Sequence, residues 1–451
     1  MLKIVSFFNL LLPSANNIPR SWNVYLEALG IAGLCIYAFA FPFSKDICYI
    51  GEWVMVGAFI LSVPHVWPRM KHDPVFIGFL VLLVYLVFKG ISTFFIYQEP
   101  VVDIADAIRF QLRFLWIYII AWWVGGTSTS LLRLLGISLI GLLVLLVIGF
   151  ETRLLETFER GLRIGFGLNP QHFALYSATA LSGCLILARD FWGTRYRYFR
   201  IFLWLVLVLL LFELVIFSQT RTIWMALILV LFFFGTAGLI YAAKHGHLRR
   251  KKQKIYLFSM SSMVLFLIIL GVHFHSDTIN KRVSREFALL EQLFSSDNAD
   301  IKADSSLVKR VFLWKWSIEK IRERPFIGWK IDDTSKDYIE QSPDIHDSAS
   351  QFNHVHNSYL EVLLNQGIIG LFVFLFFPVY VVYSVVMHFK KGRIPLRFFM
   401  FFCSFVIISA VANIFEAYIT SWLFWPYLTM FLGGFYSFVL WGRICAKEGS
   451  V

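Results

Sequence analysis

The sequence predicts an all-α polytopic membrane protein with about twelve transmembrane helices. Three observations carry that expectation. Hydrophobic residues make up 58% of the 451, and mean hydropathy is +0.68, where soluble domains stay near half apolar. The apolar residues come in blocks of roughly 18–25, the length that crosses a ~30 Å hydrocarbon core. The connections between blocks alternate in charge, as cytoplasmic and outward loops do.

In chain order the spans fall near 24–43, 49–66, 74–93, 112–126, 131–150, 169–188, 199–217, 220–242, 255–274, 359–387, 396–417 and 420–441. The span at 112–126 is set apart by Arg113 at its edge. The first apolar block is followed by many others, so a cleaved leader is not expected. One set of connections is short and basic: Arg69 with Lys71, Arg133, Arg189 to Arg200, KHGHLRRKKQK at 244–254, HFKKGRIPLR at 388–397, and Arg443 with Lys447. These are expected to face the cytoplasm together with both termini. The other set mixes signs and faces outward: SKD at 44–46, YQEPVVDIADAIR at 97–109, ETRLLETFERGLR at 151–163, the tight turn at Arg221, and 275–358. The chain therefore divides into nine membrane helices (1–274), a long outward loop (275–358) and three further helices (359–451).

The formal charge of +12 is accounted for by the basic loops, and no nucleic-acid partner is expected. The five cysteines are scattered, without CxxC or metal-finger spacing, so they are read as apolar packing residues.

Loops as long as 275–358 usually carry function. RVSREFALLEQLF (282–294) has a helical apolar stripe, and SSDNADIKADSS (295–306) reads as a connector. LVKRVFLWKWSIEKIRERPFIGWK (307–330) is a second amphipathic helix, ended by Pro325 and Gly328. The loop is expected to form a helical cap over the outer end of the bundle.

Ionisable groups against a membrane span are candidates for function. Arg221 stands in a short turn beside Ser218, Gln219 and Thr220, and its fork suits phosphate. The plain alternative is an arginine snorkelling to the interface. Arg163, with Arg160 nearby, precedes Gly165 and Gly167, which permit close backbone approach to a ligand. Both arginines could equally belong to a charge-paired loop. Arg310 lies near Trp314 and Trp316 on a helix that could supply a cation or simply float at the interface. His356 and Asn357 immediately precede the span at 359–387, with His354 as a second imidazole. A helix N-terminus favours an anion, and a neutral histidine there can take a proton from a hydroxyl. Alternatively, Asn357 or Ser358 merely caps the helix and His356 is a wet loop residue. Zinc on His346, Asp347, His354 and His356 is a rival reading, though the spacing matches no compact motif. Glu99, Asp103 and Asp106 form a second possible metal cluster. Glu213 and Glu416, within or near apolar runs, are left open.

Several arginines and one histidine fit a single reaction: glycosyl transfer from a polyprenyl pyrophosphate. Arginines could neutralise the leaving group, so no metal or other cofactor is expected. A base opposite the leaving group would invert the anomeric carbon.

The same residues resemble the O-antigen ligase and polymerase superfamily. HVHNSYLEVLLNQGIIGL is similar to its H-N-x-x-L…G-x-x-G-L signature, and RVFLWKWSIEKIRERPFIGW to its R-x-x-x-W…P-x-x-G-W segment. SQTRTIW resembles its S-x-[ST]-R element. RIGFGLNPQHFAL resembles its Arg-Gly-Asn-Pro element, with Gln171 where a second asparagine is usual. The resemblance implies a glycosyltransferase-C-like fold in a bacterial inner membrane, with the site facing the periplasm. It implies an undecaprenyl-pyrophosphate-linked glycan donor and a lipid A–core acceptor, with membrane lipids around both. It also implies His356 as general base and Arg221 as pyrophosphate binder, with Arg310 and Arg163 holding the donor. A polymerase or a protein O-oligosaccharyltransferase of the same superfamily is the nearest alternative. A transporter of the lipid-linked glycan is the alternative from another class; it would place charges near the bilayer midplane on broken helices.

Overall fold

Short polar side chains set where many of the helices begin. Asn23, Ser44, Asp73, Thr127, Asn169 and Asn357 each accept a first-turn backbone N–H of the helix that follows. Such caps satisfy donors that a helix end leaves orphaned. The computed structural model describes residues 11–15, 18–150, 163–192, 196–245, 306–331, 334–341 and 354–448. The first part of the chain forms α1 (Val24–Ala40), α2 (Lys45–Met70), α3 (Pro74–Tyr97), α4 (Val101–Leu112), α5 (Leu115–Val124) and α6 (Ser128–Ile148). Then come α7 (Pro170–Ile186), α8 (Ala188–Trp192), α9 (Arg197–Phe217), α10 (Arg221–His245), α11 (Ser306–Glu323) and α12 (Thr334–Gln341). The chain ends with α13 (Ser358–Lys390), α14 (Leu396–Phe415), a 3-10 turn at Tyr418–Thr420, and α15 (Phe424–Glu448).

Among the described residues there is no strand, and seven helices (α2, α3, α6, α9, α13, α14 and α15) are long and apolar enough to cross a membrane. The protein is an all-α, multi-pass membrane protein. Every expected span coincides with a helix except 255–274, which lies outside the described residues together with 282–294, Arg160, His346 and Asp347. Helix α15 runs through the middle, with Trp425, Tyr427, Phe435, Tyr436 and Trp441 all buried. Basic connections gather at one end, where Arg443 pairs with Asp73 at 3.4 Å and Arg397 with Asp190 at 3.0 Å. The cap helices α11 and α12 lie at the other.

The span expected at 112–126 is corrected. Its helix, α5, has only ten residues, about 15 Å of rise against a ~30 Å core. Arg113 explains the break before it. Its Nε and Nη2 each donate to a Glu52 carboxylate oxygen at 3.2 Å, both side chains largely buried. A buried guanidinium needs that bidentate partner, and the chain kinks to provide it.

A second break lies inside α13, where Gly367 takes φ +67°. The broken turn leaves backbone groups to satisfy, and the Pro-Phe-Ile-Gly-Trp stretch after α11 satisfies them. Ile368 and Ile369 N–H donate to the Pro325 and Phe326 carbonyls at 2.8 and 3.1 Å, and Trp329 N–H to Leu364 at 3.0 Å. Tyr85 Oη donates to the Gln366 carbonyl at 2.9 Å. Lys89, buried in α3, donates to the Ile327 and Trp329 carbonyls at 2.7 and 3.1 Å. Gly328 also has positive φ, and backbones approach so closely that a Cβ on Gly367 would sit 2.4 Å from Phe326 backbone. Gly367→Ala is therefore expected to destabilise the protein by about 2–4 kcal/mol. Thermal unfolding in detergent would read this as a lowered Tm, and an unchanged Tm would refute the docking role of the break.

Candidate active site

The cap, the start of α13 and the end of α14 meet at one point. Val355 is fully buried and held from both sides. Its N–H donates to Glu361 Oε2 at 2.9 Å, and its carbonyl accepts the Trp314 indole N–H at 2.9 Å. Glu361 is further fixed by Ser335 of α12, whose hydroxyl donates to Oε1 at 2.7 Å. So both cap helices grip the turn that carries the two histidines. His356 takes φ +54°, a left-handed geometry that histidine tolerates better than most residues. Asn357 then caps α13, its Oδ1 accepting from Tyr359 and Leu360 N–H, each at 3.0 Å. Asn357 thus caps α13 through Oδ1, which leaves its amide nitrogen as the group it could offer a substrate, and His356 is buried rather than a wet loop residue.

Glu416, just beyond α14, receives both imidazoles on one oxygen. His354 Nε2 lies 2.6 Å and His356 Nδ1 2.8 Å from Oε1. The two rings are 4.3 Å apart, and Arg310 Nη2 is 3.7 Å from the other carboxylate oxygen. Ser358 pins this junction by donating to the Glu416 carbonyl at 3.0 Å and to Asn413 Oδ1 at 2.5 Å. The sequence alone assigns Glu416 no role; in the structure it is the hub.

The electrostatics separate the two histidines. Burial would raise the Glu416 carboxyl, but hydrogen bonds from His354 and His356 and their charges outweigh it and hold it below the usual carboxylate range. Burial lowers His356, and Glu416 only partly offsets this, so His356 stays below its ordinary value. Burial also lowers His354, but Glu416 overcomes it and His354 is raised. Near neutral pH this favours charge on His354 and a neutral ring on His356.

The other expected cations connect to this hub through the N-terminus of α7. Arg221 opens α10 and is half-buried; the preceding Thr220 hydroxyl donates to the Pro170 carbonyl at 3.4 Å. Arg163 is half-buried, and the next residue, Ile164, donates its N–H to the Phe217 carbonyl at 3.3 Å. The α7 N-terminus links these to the hub: Tyr418 Oη donates to the Gln171 carbonyl at 3.1 Å, and the Tyr418 ring lies edge-on to His172 at 4.8 Å. The acidic cluster at 99–106 is not gathered. Glu99 shares Lys330 with Asp337, while Asp106 pairs with Arg109 at 3.5 Å on the surface. Among the described residues, the metal-ligand-like group is instead His354, His356 and Glu416, with ligand atoms within 4.8 Å of one another.

Fold and site together define a multi-pass helical membrane protein whose buried histidine–carboxylate–arginine cluster lies at one end of its bundle. The family model described as O-antigen ligase matches residues 205–375, and over this segment the chain is similar to the O-antigen ligase superfamily. The matched segment contains Arg221, Arg310, His354 and His356, but not Arg163, His172 or Glu416. No curated protein matches the chain significantly.

Proposed function

We propose that the protein transfers a glycan from undecaprenyl pyrophosphate to a hydroxyl of lipid A–core, at the periplasmic face of a bacterial inner membrane. The observation that carries this reading is His356 Nδ1 at 2.8 Å from Glu416, inside the family-matched stretch and at the start of α13. With Nδ1 engaged, Nε2 is the atom that takes the acceptor proton. The acceptor oxygen then attacks the anomeric carbon, the bond to pyrophosphate breaks, and undecaprenyl pyrophosphate leaves with its charge met by Arg221, Arg310 and Arg163. Attack opposite the leaving group inverts that carbon. A cavity of about 230 Å³ between α6, α7, α14 and α15 is lined by Leu135, Leu139, Tyr176 and Phe431 and could take part of a lipid tail. Its lining runs along α7 from Tyr176, one turn beyond His172, to Leu187 and on to Asp190 at the basic end of the bundle.

Arg221→Lys is expected to cut turnover at least tenfold, because a point charge does not reproduce a bidentate fork. Unchanged turnover would reduce Arg221 to an interfacial anchor. The reading itself is tested by incubating purified protein in EDTA with polyprenyl-pyrophosphate glycan, with and without lipid A–core, and separating the products. Glycan on lipid A–core is the expected outcome. Longer polyprenyl-linked chains without the acceptor would make it a polymerase. The His354–His356–Glu416 geometry favours one second reading, a metal-assisted reaction; recovery of activity only on adding a divalent ion would establish it.

A further inference from the structure

His172 has no part in the reaction as written, yet its placement is unusual. It lies in the first turn of α7, is 5% exposed, and neither ring nitrogen has a hydrogen-bond partner among the described residues. Buried polar groups are nearly always paired, and leaving one unpaired is costly. Packing alone would be served as well by phenylalanine against the Tyr418 ring. Two residues before it, the Pro170 carbonyl accepts from Thr220, next to Arg221. On its other side, Tyr418 follows Glu416 by two residues, and Glu416 and His354 are within electrostatic reach of the His172 ring. The ring therefore belongs to the segment that joins the turn before Arg221 to the cluster that would hold the base.

We infer that His172 is a donor-binding residue, its ring N–H donating to a pyrophosphate oxygen of the lipid-linked substrate from the N-terminus of α7. This deepens the reading above and rests on it. A neutral N–H at a helix N-terminus adds a hydrogen bond where the helix dipole already favours an anion. It does so without a further full charge beside Arg221.

The test is binding of farnesyl pyrophosphate to the full-length protein in detergent by calorimetry, with the variants His172→Phe and His172→Gln. Phenylalanine keeps the ring against Tyr418 and removes both nitrogens; glutamine restores an N–H. His172→Phe is expected to weaken binding about tenfold, and His172→Gln to recover most of it. In turnover assays the phenylalanine variant should raise KM for the donor more than it lowers kcat. Wild-type affinity in the monodisperse phenylalanine variant would overturn the inference while leaving the donor reading intact, as would equal weakening by both variants. Absence of binding by the wild-type protein would instead overturn the donor reading itself, and the inference with it.

Discussion

His356→Ala should lose transfer by roughly a thousandfold, within the range a positioned general base contributes. The loss should fall on kcat, with donor binding kept, because the arginines rather than this ring meet the pyrophosphate. Alanine carries its own cost at φ +54°, where a residue without a local polar contact is strained. His356→Asn separates the two effects, since asparagine tolerates that geometry but cannot serve as the base. Both variants should be equally inactive if the proton matters, and only the alanine variant should be less stable. His354→Ala is expected to cost far less, about tenfold, because that ring is the one raised by Glu416 and held charged. Near-normal turnover in His356→Asn would end the general-base assignment. A larger loss in His354→Ala would move the assignment two residues upstream.

Much of this architecture was legible in the sequence because hydrophobic length and loop charge act locally. A block of twenty apolar residues needs no partner to be recognised, and Asn357 marks a helix start by chemistry it performs on its own neighbours. The order of the arginines and histidines was legible for the same reason. What escaped are features that exist only once distant segments meet. Glu416 sits 60 residues from His356, at the end of an apolar run, where nothing nearby marks it as a partner of the histidines. His172 looked like part of an apolar helix. Arg113 was visible as an interruption, but not Glu52, which explains it. In the sequence, the Gly-Ile-Ile-Gly stretch at 367–370 and the Pro-Phe-Ile-Gly-Trp stretch at 325–329 belong to two separate signatures. They are two halves of one backbone junction, and only the fold shows why both need glycine.

Glu416→Gln should be nearly as damaging as loss of the base, lowering kcat roughly a hundredfold to ten-thousandfold, as when a carboxylate that orients a catalytic histidine is neutralised elsewhere. The amide keeps the shape and can still engage one ring. It loses the charge that steadies the imidazolium formed as His356 takes the acceptor proton, and it leaves Arg310 facing a neutral group. The pH profile distinguishes this from simple misfolding. In the wild-type protein the rate should fall as pH drops through the His356 pKa, which burial places below the ordinary histidine value. Glu416 raises that pKa against burial, so removing its charge should move the acid limb to still lower pH while the plateau falls. His354, raised by the same carboxylate, should lose its charge near neutrality in the variant. NMR of the labelled histidine rings would follow both shifts directly. An acid limb that stays in place in Glu416→Gln would mean that the carboxylate holds the turn but does not govern the proton.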